Sequence, residues 1–412
     1  MCGDGSATPP DRARLRRDQW FSQSASISFS VGQSMAAVAV PLLAVQAGHP
    51  IEAVGLIVAV SAISQTVARL GMGSLMSRIP TKFFIIAATL LLAASCFTLA
   101  LSSALWALIV AQLLQGVARA YFWTGSQTHV LRASDSALRA LSRLNVVQGV
   151  GQLVGPALAG LIGAWSLQAS LVGAGALGML AVAPSLLLIS FAPFAFTRRR
   201  DGAGRRQIWR RPGVSKAASM TAVAGAWRGI LNSYLPVILT AAGHAIPAVG
   251  ALVTLTNLAS LVGSAISRPV QALGSRVANA LGTTAAGIGL AVAALSPAPI
   301  WIPAAALGVS GLGAGILQTV GPALAADSVG AEERGRAIAS IGTFRSVSLL
   351  FSPVITAGLV LVVPSAAVAC GVAGIIISTP ALAEFIGRPS AAEPPRGNQE
   401  DEEDAEDDSA AA

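Results

Sequence analysis

The sequence predicts an all-α membrane protein with twelve transmembrane helices, arranged as two parallel repeats of six. Three observations lead to this prediction: the chain is apolar throughout, its apolar runs are long enough to cross a bilayer, and its second half repeats the first. Of its 412 residues, 54% are hydrophobic and only 11% are charged, whereas a soluble domain carries about 25% charged residues. A chain so poor in charge is suited to lipid rather than to water.

Twelve apolar runs occur along the chain, each of the length, roughly 20 residues, that a membrane span requires. Prolines inside several runs would end a helix in water, but a membrane bundle tolerates them because neighbouring helices satisfy the freed backbone groups. The predicted spans cover residues 20–45, 52–75, 83–102, 105–130, 142–164, 168–194, 217–241, 247–270, 278–296, 300–326, 338–362 and 365–387.

Basic residues fall in every second loop between these spans. Residues 1–387 contain 25 Lys and Arg against 10 Asp and Glu, a net charge of +15, and the loops after odd-numbered spans carry no basic residue. Because cytoplasmic loops are enriched in Lys and Arg, we expect the basic loops and both termini in the cytoplasm. Charge in this pattern sets topology and does not indicate a nucleic-acid partner. The excess of Arg over Lys, with abundant Ala and Gly, favours a bacterial inner-membrane protein.

The predicted spans and charges divide the chain into five segments. These are a cytoplasmic N-terminal segment (1–19), a six-helix bundle (20–196), a basic cytoplasmic linker (197–216), a second six-helix bundle (217–387) and an acidic tail (388–412). The linker carries eight basic residues, which we expect to lie on anionic lipid headgroups. The tail has nine acidic and two basic residues. Repulsion among the acidic side chains predicts that the tail is disordered.

An internal repeat relates the two halves. The segment Ala47–Gly55 recurs as Ala242–Gly250 at an offset of 195, and Pro156 matches Pro353 at an offset of 197. Since the offset spans six predicted helices, an even number, the halves are predicted to be parallel copies rather than inverted ones.

Two parallel six-span halves joined by a basic loop resemble the major facilitator superfamily, over about residues 18–387. The resemblance implies a substrate site between the halves near the bilayer midplane. The loop after span 2 is similar to the family's loop signature in Arg78 and Lys82, although Ser77 and Pro80 replace its Asp and second Gly. This resemblance makes Arg78 a candidate for a conformational role.

Span 5 contains a glycine-rich run from Gly151 to Gly160, which resembles the signature of the family's exporters. The last glycine of the run stands one position later than it does in that signature. Small residues four apart allow close helix packing, and Gly155-Pro156 permits a bend. Tight packing and a role in export are two alternatives for this run. Span 4 has Gln115 followed by Gly but lacks the Arg that precedes this pair in the family's drug exporters.

Charged residues inside membrane spans are costly and tend to be functional. The predicted span interiors contain no carboxylate but four arginines, Arg69, Arg119, Arg228 and Arg345. Arg228 lies roughly 16 Å into span 7 at 1.5 Å per residue, near the midplane. Arg69 is expected to snorkel towards the membrane surface. Arg345 could instead bond helix ends near the loop signature.

Polar side chains at helical spacing extend this candidate site along spans 1 and 4. The stripe on span 1 consists of Gln23, Ser26, Ser30 and Gln33. In the repeat, Arg228 aligns with Gln33 and Arg345 with Gln148, so both halves place polar groups at equivalent depths. The substrate-binding candidates are Arg228, Arg119, Gln33, Gln115, Asn232 and Gln318. The gating candidates are Arg78, Gly151, Gly155, Pro156 and Arg345.

These features favour a secondary carrier that works by alternating access, with a small-molecule substrate and membrane lipid as partners. The glycine-rich run favours efflux of a small organic molecule. Uptake of an anionic solute is the alternative, because the charges inside the spans are all positive. The sequence has no nucleotide-binding loop, and its scattered Cys and His predict neither a cofactor nor a metal nor an enzyme. A substrate sensor built on a transporter fold remains an open alternative.

Proton coupling is expected only near the membrane surface. A group that carries protons must titrate near neutral pH, and it is usually a buried carboxylate or His. The predicted span interiors offer none, because Asp18 and the other carboxylates fall at span ends. We therefore expect coupling through Glu52, Asp327 or His129, or no coupling to protons.

Overall fold

The chain forms two bundles of long α-helices in a computed structural model. The structure describes residues 12–76, 78–133, 137–193, 208–329, 334–363 and 365–386. The predicted acidic tail and residues 197–207 of the predicted linker lie outside this described part of the chain.

The N-terminal bundle contains five long helices and a sixth that is interrupted at Ala181. Its helices are α1 (Arg12–Gln46), α2 (Ile51–Met76), α3 (Thr81–Leu101), α4 (Leu105–Arg132), α5 (Ala137–Gly163), α6 (Leu167–Leu180) and α7 (Val182–Leu186). The C-terminal bundle follows a short 3₁₀ helix. Its helices are α8 (Pro212–Ala241), α9 (Ile246–Ala265), α10 (Ser267–Ala272), α11 (Ser275–Leu295), α12 (Trp301–Asp327), α13 (Arg334–Val362) and α14 (Ala366–Ile386).

Ten helical segments of the described chain are long and apolar enough to cross a membrane. The other two predicted crossings correspond to α8, which has 30 residues but carries several polar side chains, and to α14, whose described apolar part is Ala366–Ala381. We call the end of the bundle with the loops after α2, α4, α10 and α12 the basic end, and the other end the opposite end. The predicted all-α membrane architecture in two halves is confirmed.

Two helices begin before the spans predicted for them. Helix α1 starts at Arg12 rather than at residue 20, and α8 starts at Pro212 rather than at residue 217. A helix can continue past the membrane, where water replaces lipid, and proline at the first helical position favours a start there. Residues 212–216 are therefore helical, and Asp18 lies inside α1.

The repeat is visible in the turns that follow α1 and α8. Gly48 and Gly243 have φ angles of 83° and 92°, a left-handed conformation that glycine adopts without steric cost. The next residues, His49 and His244, place Nε2 at 3.0 and 2.6 Å from a backbone carbonyl of the neighbouring loop at the opposite end. Both histidines thus act as equivalent loop tethers.

Each half packs around its own apolar core. In the N-terminal half, the rings of Phe29 and Phe122 stack with centroids 3.8 Å apart. In the C-terminal half, Trp227 and Tyr234 are the largest fully buried side chains, and the indole of Trp227 donates to Ser310 Oγ at 2.8 Å. Because each half has its own apolar core, the surfaces that the two halves turn towards each other can carry polar groups.

The halves meet most closely at the opposite end of the bundle. Gly160 of α5 lies so near α9 that a Cβ there would stand 3.0 Å from the Cα of Pro247. Tyr234 donates its hydroxyl to the carbonyl of Glu52 at 3.4 Å. At the basic end, by contrast, Arg69 and Arg345 are exposed although α2 and α13, which carry them, face each other. Backbone contact between the halves is therefore closest at the opposite end in the described part of the chain.

Candidate substrate site

A cavity lies between the two halves near the middle of the bundle. It contains about 490 Å³ of atom-free space, part of it open to solvent. Helices α1, α2 and α4 line it from the N-terminal half, and α8 and α13 line it from the C-terminal half. Five of the six predicted substrate-binding residues are among its lining residues, namely Gln33, Gln115, Arg119, Arg228 and Asn232.

The N-terminal wall presents several polar atoms that have no protein partner among the described residues. These atoms are Gln33 Oε1, Gln112 Oε1, Gln115 Nε2 and Arg119 Nε. Buried polar groups in proteins are nearly always bonded to protein or to water. The wall is therefore equipped to bind water or a substrate that both donates and accepts hydrogen bonds.

On the C-terminal wall, neutral groups hold Arg228 in place. Its Nη1 donates to Asn257 Oδ1 at 2.8 Å, and its guanidinium lies 5.0 Å from the ring centroid of Trp227. Asn257 in turn donates to the carbonyl of Gln152 at 3.0 Å, across the interface on α5. These contacts orient the guanidinium without neutralising it, because neither Asn257 nor Trp227 carries a charge.

Two further arginines extend the positive charge from the cavity to the basic end. The charge of Arg345 is near enough to repel both Arg228 and Arg69. Arg69 Nη1 lies 3.4 Å from Ser346 Oγ in the other half. No carboxylate pairs with these guanidinium groups among the described side chains, so the side of the cavity towards the basic end is positively charged.

The glycine-rich run of α5 packs against two neighbouring helices. A Cβ added at Gly155 would lie 2.7 Å from a backbone oxygen of α1, closer than any side chain permits, and Gly151 meets α1 one turn earlier. The carbonyl of Pro156 faces Gly250 of α9 in the other half. Arg78, the remaining N-terminal gating candidate, lies exposed in the turn after α2.

In the C-terminal half, one predicted residue lies away from the cavity and one residue outside the prediction contacts Arg228. Gln318 is not among the lining residues; its amide lies 3.5 Å from Ser260 Oγ, because this face of α12 packs on α9. Asn257, which was not among the candidates, is the residue that holds Arg228. In the sequence, Asn257 stands out only as an amide in an apolar span. The same is true of Gln318, so the sequence does not distinguish the two residues.

His129 forms a buried contact with a carboxylate that the sequence does not reveal. Its Nε2 lies 2.9 Å from Asp18 Oδ2, with side-chain exposures of 0% and 1%. The other carboxylate oxygen accepts the backbone N–H of Ile189 at 2.6 Å, and His129 Nδ1 lies 3.3 Å from Thr81 Oγ1. Asp18 and His129, expected as separate groups near the membrane surface, are therefore joined inside the N-terminal half.

A helical bundle of two repeated halves around a central polar cavity is an arrangement that many membrane transporters share. The family model described as Major Facilitator Superfamily matches residues 24–226 and 217–407. The chain belongs to the major facilitator superfamily, and it is a transporter rather than an enzyme. No curated protein sequence matches the chain significantly.

Solved structures of transporters share the fold at low sequence identity. A mutant of the nucleoside transporter NupG aligns with a TM-score of 0.75 and 12% identity, covering 90% of this chain and all of that one. A bacterial homolog of the human lysosomal transporter Spinster, described as inward-facing and unoccupied, aligns at 0.67 and 12%, covering 92% and 97%. A POT family transporter in complex with a thioalcohol-conjugated peptide aligns at 0.69 and 11%, covering 90% and 95%.

Proposed function

We propose that this protein is a secondary carrier that exports a small organic anion from the cytoplasm by alternating access. The observation that carries the proposal is that Arg119 and Arg228, contributed by different halves, line one cavity that contains no carboxylate among its lining residues. Family membership supplies the broader part of the proposal, a transporter that binds a small molecule.

The charge of the cavity favours an anion because a guanidinium cannot lose its proton in a protein. A hydrogen bond between charged groups contributes about 1.5–3 kcal/mol, roughly twice the value for neutral partners. An anion that contacts Arg119 on one wall and Arg228 on the other would also draw the two halves together. This contact gives substrate binding a direct effect on closure.

The proposed direction depends on orientation and on α5. If the basic end faces the cytoplasm, as the distribution of Arg and Lys favours, the exposed Arg69 and Arg345 lie on the cytoplasmic side of the cavity. The Spinster homolog adopts the same fold in an inward-facing conformation. The resemblance of the Gly151–Gly160 run to an exporter signature favours export. Uptake of an anionic solute through the same cavity is the alternative.

A thermal-stability panel tests the substrate class. Purified protein is heated with small mono- and dicarboxylates, each paired with its neutral amide, because a ligand that binds the folded state raises its apparent stability. We expect at least one carboxylate to stabilise the protein and its amide to have no effect. Equal stabilisation by acid and amide would contradict the anionic substrate class. Direction is tested separately, by comparing flux of the stabilising anion in right-side-out and inverted membrane vesicles.

A further inference from the structure

Apart from the substrate cavity, the N-terminal half buries a second row of polar groups between α1 and α5. Ser22, Ser26 and Ser30 stand four residues apart and therefore lie on one face of α1; they are only 3%, 0% and 1% exposed. Ser30 packs against Gly151 of α5, so this face is turned towards α5. We call these three serines, together with Gln148 of α5, the polar seam.

The side chains of the polar seam have no protein partner. Serine in a helix commonly bonds back to the preceding turn, as Ser233 does to the carbonyl of Gly229 at 2.8 Å. None of the three serine hydroxyls has a partner among the described residues. Gln148 is 1% exposed and both its amide atoms are unpartnered. Because buried polar groups are bonded either to protein or to water, the seam is suited to hold water.

The spacing of the seam fits a chain of hydroxyls bridged by water. Four helical residues rise about 6 Å, and one water molecule bridges two oxygens about 5.6 Å apart when each hydrogen bond is about 2.8 Å long. One end of the seam reaches Asp18, four residues before Ser22. The other end reaches Gln33, three residues after Ser30, whose unpartnered Oε1 belongs to a residue of the cavity wall. The spacing along α1 thus places the seam between the Asp18–His129 pair and the substrate cavity.

The surroundings of the Asp18–His129 pair suit both protonation states of the imidazole. With Nε2 directed at Asp18, the hydroxyl of Thr81 can either donate to Nδ1 or accept a hydrogen bond from it. The same geometry therefore holds a neutral and a protonated His129. Because the two side chains are 0% and 1% exposed, the pair does not exchange protons with bulk water directly.

The charged groups around this pair are all cations in the described part of the chain. They are Arg14, Arg16 and Arg17 on α1, Lys82 on α3 and Arg132 on α4. Lys82 donates to the carbonyls of Leu186 and Leu188, and Arg132 lies 5.2 Å from the ring centroid of Phe191. None of these cations is a proton acceptor at neutral pH.

The C-terminal half provides an internal comparison because it forms the same helix pair without this arrangement. At an offset of 195, the positions of Asp18, Ser22, Ser26 and Ser30 are taken by Gly213, Ala217, Thr221 and Gly225. The one hydroxyl among them, that of Thr221, donates to the carbonyl of Ala217 at 2.9 Å. The fold therefore needs neither a buried charge nor unpartnered hydroxyls here. Since burying ionised groups is costly, their presence in one half indicates a role beyond packing.

We infer that the Asp18–His129 pair is a proton-binding site and that the polar seam conducts protons between this pair and the substrate cavity. Along the seam, each oxygen accepts a proton from one neighbour while it gives one to the next, so one O–H bond forms for each that breaks. A proton released by the N–H of His129 is thereby delivered to the cavity, to water or to a bound anion. The substrate and a proton then share one compartment while their binding groups remain separate.

A pH jump on the full-length protein in liposomes tests this inference without any substrate. The jump runs from about pH 8 to about pH 5, which brackets the titration range of histidine. Time-resolved infrared spectra follow the imidazole and carboxylate bands, and Asp18→Asn identifies the bands of the pair. Ser26→Val fills the seam with an apolar group. Ser170→Val is the matched control, because Ser170 of α6 is also fully buried with an unpartnered hydroxyl but lies outside the seam.

We expect protonation of the pair to slow about tenfold or more in Ser26→Val, since a water-bridged chain loses its central member, and to keep the wild-type rate in Ser170→Val. Equal rates in the two variants would overturn the proton path. Spectra in which Asp18→Asn removes no pH-dependent band would overturn the proton-binding site. If Ser26→Val does not fold, Ser26→Ala combined with Ser30→Ala removes two hydroxyls without added volume and gives the same readout. Failure of the anionic-substrate proposal would leave these results unchanged.

Discussion

Replacement of Arg228 by glutamine separates the charge of the cavity from its packing. The change removes the guanidinium, whose Nη1 lies 2.8 Å from Asn257 Oδ1, but keeps an amide that can donate a hydrogen bond. Glutamine already stands at the equivalent position of the first half, Gln33. We therefore expect a folded protein that loses about 1 kcal/mol of stability, the net value of one hydrogen bond.

The effect of Arg228→Gln on binding an anion is expected to be larger than its effect on folding. A charge-assisted hydrogen bond is worth about 1.5–3 kcal/mol, and each 1.4 kcal/mol corresponds to about a tenfold change in Kd. Loss of the guanidinium should therefore raise Kd by about 10- to 150-fold. Binding should not disappear, because Arg119 remains on the other wall of the cavity.

The assay titrates the anion that stabilises the wild-type protein and derives Kd from the concentration dependence of the stabilisation. Arg143→Gln is the matched control, since Arg143 is an exposed residue of α5 and the change removes the same charge outside the cavity. We expect Kd to rise in Arg228→Gln alone. An unchanged Kd, or an equal rise in both variants, would show that Arg228 does not contact the anion.

Three further perturbations have definite expected outcomes. Gly250→Leu should separate α5 from α9 at the opposite end, because a side chain there meets the carbonyl of Pro156; spin labels on the two helices would report an unchanged distance if this is wrong. Asp18→Asn should lower the unfolding free energy by about 1–3 kcal/mol, and an unchanged thermal midpoint would contradict the buried pair. Deletion of residues 390–412 should leave transport intact, because the acidic tail cannot bury a core; lost transport at unchanged protein level would refute this.

The helices and their repeat could be predicted because both depend on local composition. An apolar run of sufficient length forms a span wherever it lies, and the turn at Gly48-His49 recurs at Gly243-His244 with the same conformation. Arg228 could be singled out for a similar reason, since a charge is rare at that depth. The positions of the helix ends were predicted less accurately: α8 starts at Pro212, whereas the predicted span starts at residue 217.

The partners of the polar side chains could not be predicted, since they depend on how the helices rotate and pack. Asn257 and Gln318 are both amides in apolar spans, yet Asn257 binds Arg228 and Gln318 faces Ser260. Asp18 and His129 are 111 residues apart in sequence, and no periodicity relates them. The serines of α1 were expected to face the cavity with Gln33, whereas Ser30 packs against α5.

Counterflow in liposomes tests the central claim, that the cavity between the halves carries an organic anion by alternating access. Liposomes are loaded with the unlabelled anion selected by the stability panel, and uptake of the labelled anion is followed over time. A carrier exchanges the two and transiently accumulates label above its equilibrium level. We expect this overshoot for wild-type protein and for Arg143→Gln, and its loss when Arg119 and Arg228 are both replaced by glutamine. An overshoot that survives the double replacement, or one that the neutral amide produces equally well, would contradict the account.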